Sequence, residues 1–267
     1  MTGTGFALRG LGVAYAGAGI PALAGLDLAV AAGEKLAVIG ESGSGKSTLA
    51  LALAGLLPGD AAVTGRIDWP GQAERPRAGR DIGFVFQDAG ASLNPVRRAG
   101  VQVAEVARAH LGLTRRAARA HALDLFRRVR LPDPAAAMAA YPHQLSGGQR
   151  QRVAIAAAIA AGPSLLIADE PTSALDTIVQ AQIVALLERL VAEAGMTLVF
   201  VTHDIALASG FADRIAVLNG GRLVEAGTAA GVLAAPRDAY TQMLIGCHIG
   251  LDTPPLVGNP AGGGARS

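Results

Sequence analysis

Apolar residues alternate, or come in short runs between glycine-rich turns, over residues 6–15 and 26–30, a texture that predicts antiparallel strands near the start of the chain. A short run at 35–39 reads as a buried strand. It leads into the glycine-rich stretch 40–45, and the helix-favouring residues 46–57 behind it stop at Pro58-Gly59. Strands are also expected at 65–69 and 82–86, flanking a polar connection rich in Pro and Arg at 70–80.

The pattern changes after Gln87. Helical spacing and good helix formers mark 101–111 and 115–129, Leu131-Pro132-Asp133-Pro134 breaks the run, and a third helix begins after Ser146 and ends before Gly162-Pro163. Strand texture then returns at 165–168 and 197–202, on either side of an amphipathic helix at 177–194. That strand-helix-strand order implies a parallel, doubly wound sheet. Residues 214–218 and 222–225 flank Asn219-Gly220-Gly221, a hairpin turn, and 236–246 reads as a closing helix. The expected organisation is a single domain over 1–248, with a helical part inserted at about 90–162, followed by a flexible tail at 249–267 that is rich in Pro and Gly.

Composition narrows the function classes. The 267 residues allow one large or two small domains, and the absence of an internal repeat favours one unit. Although 51% of residues are apolar, much of this is Ala, and aromatics make up 4%, a mixture suited to close helix packing. No run approaches the roughly 18 uninterrupted apolar residues of a membrane span. The first five residues lack the basic and apolar regions of a signal peptide, so the chain is expected to stay in the cytoplasm. A net charge of +2 is too weak to argue for a nucleic-acid partner, none is expected, and the basic clusters Arg115-Arg116, Arg127-Arg128-Val129-Arg130 and Arg150-Gln151-Arg152 read as solvated helix faces. The single Cys247 excludes an intramolecular disulfide framework and reads as a small buried hydrophobe.

The chemistry begins at Gly40-Glu41-Ser42-Gly43-Ser44-Gly45-Lys46-Ser47, which matches the phosphate-binding pattern G-x-x-x-x-G-K-[ST] and stands where that pattern must stand, between a buried strand and a helix. The glycines let successive N–H groups turn inward around phosphates, the helix N-terminus adds partial positive charge, and Lys46 adds a point charge. Ser47 is expected to ligate Mg²⁺, and Thr48 joins the expected nucleotide-binding set. A flexible Gly/Ser turn would not also supply Lys46-Ser47 and both flanking elements. Asp169 ends an apolar strand, so its carboxylate emerges at the edge of the sheet where ligands bind, placed to hold Mg²⁺ through water. Glu170 is the candidate to polarise an attacking water.

With these residues in place the chain resembles the ATP-binding cassette family over nearly its whole length, in the family's motif order. The resemblance implies an α/β fold: a P-loop NTPase parallel-sheet core, an N-terminal antiparallel β-subdomain and a helical subdomain that bears the signature Leu145-Ser146-Gly147-Gly148-Gln149. Gln87 matches the Q-loop glutamine, which contacts Mg²⁺ and water. Ser173-Ala174-Leu175-Asp176 resembles the D-loop, His203 the switch histidine, and Tyr15 the aromatic residue that stacks on adenine. Singly, Gln87 reads as a polar loop residue, His203 as a hydrogen-bonded surface or core histidine, Tyr15 as a ring on the sheet and Asp176 as a helix cap. The order and completeness of the set favour the functional reading.

The signature also has a physical logic of its own: Ser146 can cap the helix that starts at Gly147, and the glycines let backbone approach an anion. By resemblance that anion is the γ-phosphate held by a second subunit, so that two ATP molecules are sandwiched in a dimer. The implied partners are a second cassette subunit, two transmembrane permease subunits and, indirectly, an extracytoplasmic binding protein, with the chain peripheral on the cytoplasmic face of the inner membrane. Ser92-Leu93-Asn94-Pro95 after the Q-loop, Tyr141-Pro142-His143-Gln144 before the signature and the run from Asp176 to Gln182 are similar to peptide and nickel importer ATPases. The lack of a cysteine-bearing C-terminal extension leans toward nickel or metallophore subunits. The alternatives are a soluble cassette ATPase acting on ribosomes or DNA, and an exporter ATPase.

Overall fold

The structure, a computed structural model, describes residues 3–173 and 175–248, without the side chains of Cys247 and His248. The tail 249–267, Ala174 and the Cys247 side chain, each the subject of an expectation above, lie outside the described residues. Strands β1 (Phe6–Ala14), β2 (Leu23–Val30) and β4 (Ala62–Asp68) form an antiparallel sheet in the order β2-β1-β4. Strands β3 (Lys35–Ile39), β5 (Ile82–Val85), β6 (Leu165–Asp169), β7 (Thr197–Thr202), β8 (Arg214–Asn219) and β9 (Arg222–Thr228) form the second sheet, in the order β5-β6-β7-β3-β8-β9. Its pairs are parallel except β8 with β9, the hairpin that turns at Gly220-Gly221.

Helices α1 (Lys46–Ala54), α2 (Ala89–Ser92), α3 (Ala99–Leu111), α4 (Arg115–Arg128), α5 (Pro134–Ala139), α6 (Gly147–Ala158), α7 (Thr177–Ala194), α8 (Ile205–Ser209), α9 (Ala229–Ala234) and α10 (Ala239–His248) complete the described chain. Among them no helix is long and apolar enough to cross a membrane. Helix α1 stops three residues short of expectation because Gly55, in the left-handed conformation, ends it, with its N–H bonded back to the carbonyl of Ala52. Residues 131–134 break the helical run as expected and also start a new one, because Asp133 caps α5 and Pro134 occupies its first turn. The short helices α2 and α8 follow the same rule, capped by Asp88 and Asp204.

Every residue of β6 and β7 is buried, as expected of central parallel strands covered on both faces. One core, including Phe126, Val153, Leu187 and Phe200, joins the helices α3 to α7 to the sheet. A second, including Phe6, Leu26, Leu49 and Val199, fills the space between the antiparallel sheet, α1 and the other face. The expectation of solvated arginine faces fails at Arg152, whose guanidinium donates to the carbonyl of Val129 at 2.8 Å and to Gln182 at 3.2 Å. It ties α6 to the end of α4 and to α7.

Candidate active site

Because β5, β6, β7 and β3 are neighbours and run parallel, their carboxyl ends place four loops side by side. Gln87 follows β5, Asp169 and Glu170 close β6, His203 follows β7, and the glycine loop follows β3. A cavity of about 580 Å³ opens there, lined by residues 40–43 and 45–48 together with Gln87, Glu170 and His203. Segments more than a hundred residues apart in sequence thus meet around one space.

The glycine loop is shaped for close approach. A Cβ on Gly40 would lie 2.2 Å from the carbonyl oxygen of Leu218, and one on Gly45 2.5 Å from that of Ala22. Gly45 caps α1 in the left-handed conformation with no side-chain hydrogen bond to the first turn, so the N–H groups there are left to a ligand. Lys46 is 4% exposed and donates to the carbonyls of Gly40 and Glu41, both at 2.8 Å, with its ammonium 3.9 Å from Glu170 Oε1. Burial pulls its pKa below the ordinary lysine value, against the carboxylates of Glu170, Asp169 and Glu41.

Glu170 is the hub. Its Oε2 accepts from Gln87 Nε2 at 3.1 Å and lies 3.5 Å from His203 Nδ1. Its backbone sits at φ +43°, rare for a residue with a side chain, and is held by the N–H bond to Val201 and by the Ser173 hydroxyl on its carbonyl. Asp169, 6% exposed, accepts from Ser47 Oγ at 3.1 Å. Burial raises its carboxyl pKa above the usual range; the Ser47 bond opposes this, Glu170 adds to it, and Lys46 opposes it.

Two observations test the fit of a phosphate ligand and its metal. Ser44 Oγ is buried in the glycine loop with no hydrogen-bond partner among the described residues, a donor left for an anion. Ser47 Oγ and Asp169 Oδ1 lie 3.1 Å apart, the Gln87 amide is bonded to the next residue, Glu170, and no group of three His, Cys, Asp or Glu side chains that could hold a metal ion is assembled among the described residues. That set suits Mg²⁺, which takes one or two protein oxygens and completes its shell with phosphates and water.

Other expected residues lie elsewhere. Tyr15 does not line the cavity, and its hydroxyl bonds Thr48 Oγ1 at 3.1 Å. None of Leu145, Ser146, Gly147, Gly148 and Gln149 lines it either. Ser146 Oγ accepts from Gln149 N at 3.3 Å while Gln149 Oε1 accepts from Ser146 N at 2.9 Å, a reciprocal cap on α6. The glycines also serve packing within the chain: a Cβ on Gly148 would come within 3.0 Å of Val179, and one on Gly147 within 3.4 Å of Leu175. Asp176 caps α7 through Val179 N at 2.9 Å. The sequence reading missed Ala22 and Leu244 on the cavity wall, and Tyr240, whose hydroxyl accepts from Glu41 N at 2.9 Å. The closing helix carried Tyr240 and Leu244 on one face by their spacing of four, but nothing in the pattern said what that face would meet.

Comparison with known proteins places this geometry. Residues 23–173 match the ABC transporter family. A dipeptide transport ATP-binding protein of Haemophilus influenzae is 45% identical over 225 residues, 81% of this chain and 68% of that protein, and one of Escherichia coli is 44% identical over 82% of this chain and 70% of its own length. A dimeric ATP-binding cassette solved in a post-hydrolysis state with ADP and Pi superposes with a TM-score of 0.72 at 32% identity, over 84% of this chain and 98% of that one. The described fold and the matched sequence agree: the chain belongs to the ABC transporter family and carries its ATP-binding cassette.

Proposed function

We propose that this chain is the ATP-binding and ATP-hydrolysing subunit of an importer for dipeptides or short oligopeptides. The observation that carries the enzymatic part is the convergence of Lys46, Gln87 and His203 on the carboxylate of Glu170, in the cavity headed by the uncapped α1. The peptide cargo is supported by the Haemophilus and Escherichia relatives, both named for dipeptide transport. Nickel, which the sequence reading kept beside peptides, has no support from these relatives' names, and the uptake test below separates the two cargoes.

In this reading residues 1–248 act as one cassette, with 90–162 as its helical part. The N–H groups of residues 43–48 and the Lys46 ammonium hold the β- and γ-phosphates, and Tyr15 stacks on adenine. Mg²⁺ would be held by Ser47, Asp169 and Gln87, and when bound it neutralises charge on the phosphoryl oxygens. Glu170 accepts a proton from the water that attacks the γ-phosphorus as the bond to the ADP oxygen breaks. His203 contacts the same phosphoryl group. Leu145 to Gln149 and the D-loop face the γ-phosphate of a second cassette, so each site is complete only in a dimer. Two permease subunits, served by an extracytoplasmic binding protein, receive the motion at the cytoplasmic face of the membrane.

Uptake of labelled dipeptide and of labelled Ni²⁺ in a deletion strain tests the cargo. Loss of dipeptide uptake with Ni²⁺ uptake intact is expected, and the reverse would overturn it. Affinity capture from membranes is expected to recover a permease; recovery of ribosomes or DNA without one would overturn the importer.

A further inference from the structure

Lys46 and Tyr240 grip one peptide unit from opposite edges. The carbonyl of Gly40 accepts from the Lys46 ammonium at 2.8 Å, and the N–H of Glu41, the other end of that same peptide, donates to the Tyr240 hydroxyl at 2.9 Å. A peptide unit is planar and rigid, so holding its N–H sets the direction in which its carbonyl points. Gly40 cannot supply that restraint, since a residue without a side chain is the least restricted in the chain.

Tyr240 is itself firmly placed. Asp238 Oδ1 accepts from Tyr240 N at 2.8 Å at the start of α10. Glu225 on β9 accepts from the N–H groups of Arg237 and Asp238 at 3.0 and 3.2 Å, fastening the entry to the helix. One turn further on, Leu244 is buried against a cluster that contains Ile39, the last residue of β3, and Ile205, two residues beyond His203, and it lines the cavity wall. Helix α10 therefore touches the glycine loop through Tyr240 and packs on α8, behind His203, in the cluster that holds Leu244. Burial pushes the Tyr240 phenol above its ordinary value, against the opposing bond from Glu41, so it remains a neutral acceptor.

We infer that Tyr240 is a positioning residue for nucleotide binding: its hydroxyl fixes the Gly40-Glu41 peptide, and through the Gly40 carbonyl the place of the Lys46 ammonium, before nucleotide arrives. This rests on the proposal that the cavity takes nucleotide phosphates. Nucleotide affinity then depends on a group in the closing helix that never touches the phosphates.

The test is a double-mutant cycle on the full-length chain, with a fluorescent ADP analogue as the probe. Tyr240→Phe keeps the ring and removes only the oxygen; affinity is expected to fall about fivefold, the worth of one neutral hydrogen bond, with a melting temperature lower by no more than ~3 °C. In the membrane complex the KM for ATP rises by the same factor while kcat holds. In a Lys46→Ala background Tyr240→Phe is expected to cause no further loss, because the ammonium it positions is gone. Wild-type affinity in Tyr240→Phe, while Lys46→Ala weakens binding, overturns the role of Tyr240 and leaves the site standing. An equal loss in both backgrounds marks a general structural effect and overturns it too. Unchanged affinity in Lys46→Ala instead sinks the nucleotide site itself.

Discussion

Helices α1 and α6 both carry glycines at their N-terminal ends, α1 in the loop before it and α6 at its first two positions, and both offer N-terminal N–H groups of the kind that attract anions, yet the molecule finishes them in opposite ways. At α1 the capping position is Gly45, with no side-chain bond to the first turn, beside a buried ammonium and a cavity. At α6 Ser146 and Gln149 cap each other reciprocally, and the glycines pack on Leu175 and Val179. Within a single chain, a helix N-terminus with glycines is therefore not by itself an anion site; the α6 end is proposed above to meet a γ-phosphate only when a second cassette brings one. What separates the two is whether the chain satisfies the end groups itself or leaves them, with a charge and a space, to something else.

Four experiments press on that contrast. Glu170→Gln removes the candidate base on the α1 side and is expected to lower hydrolysis by about 10²–10⁴, with ATP still bound and a dimer accumulating by size exclusion; wild-type turnover would show that the base lies elsewhere. Lys46→Ala should weaken nucleotide binding by the isolated chain about 100-fold, whereas Ser146→Ala should leave that affinity alone. Equal losses in a binding titration would erase the distinction between the two helix ends. Ser146→Ala acts through its own helix: losing the cap costs about 1 kcal/mol, read as a melting temperature lower by ~3 °C.

The smallest effect has the opposite sign. Asp169 is buried and its carboxyl pKa is raised, so the folded chain takes up this proton at a higher pH than the unfolded chain does. The resulting penalty on folding is complete above the folded value and disappears as pH falls below the ordinary carboxylate range. Asp169→Asn is therefore expected to raise the melting temperature of the nucleotide-free chain by a degree or two near neutral pH, and not at acid pH, while impairing Mg²⁺-dependent hydrolysis. A lower melting temperature at neutral pH would mean that the charged carboxylate stabilises the empty site.

Much of this was legible in the chain because it is local. Alternating and short apolar runs marked the strands, the helices that Gly112 and Gly195 end in the left-handed conformation were read to their last residues, and the glycine loop announced itself by its place between a strand and a helix; Gly55, which ends α1, was passed over for Pro58-Gly59. Less legible were the short helices α2, α5, α8 and α9, too brief to show a helical period, although Asp88, Asp133, Asp204 and Thr228 cap them. For Asp176 capping and the D-loop stood as alternatives in the sequence, and the structure shows the cap on α7; the close approach of Gly148 to Val179 was not foreseen.

By itself the sequence singled out the candidate residues for the chemistry, because a phosphate loop, a strand-end carboxylate pair and their order depend on spacing along one chain. Tertiary structure alone decided which of them meet. The adjacency of β5, β6, β7 and β3 gathers Gln87, Glu170, His203 and Lys46, and α10 lays Tyr240 against a peptide 199 residues away. The reason is physical: hydrophobic periodicity reports which face of an element is buried, whereas the neighbour that covers it is chosen by packing among all the elements at once.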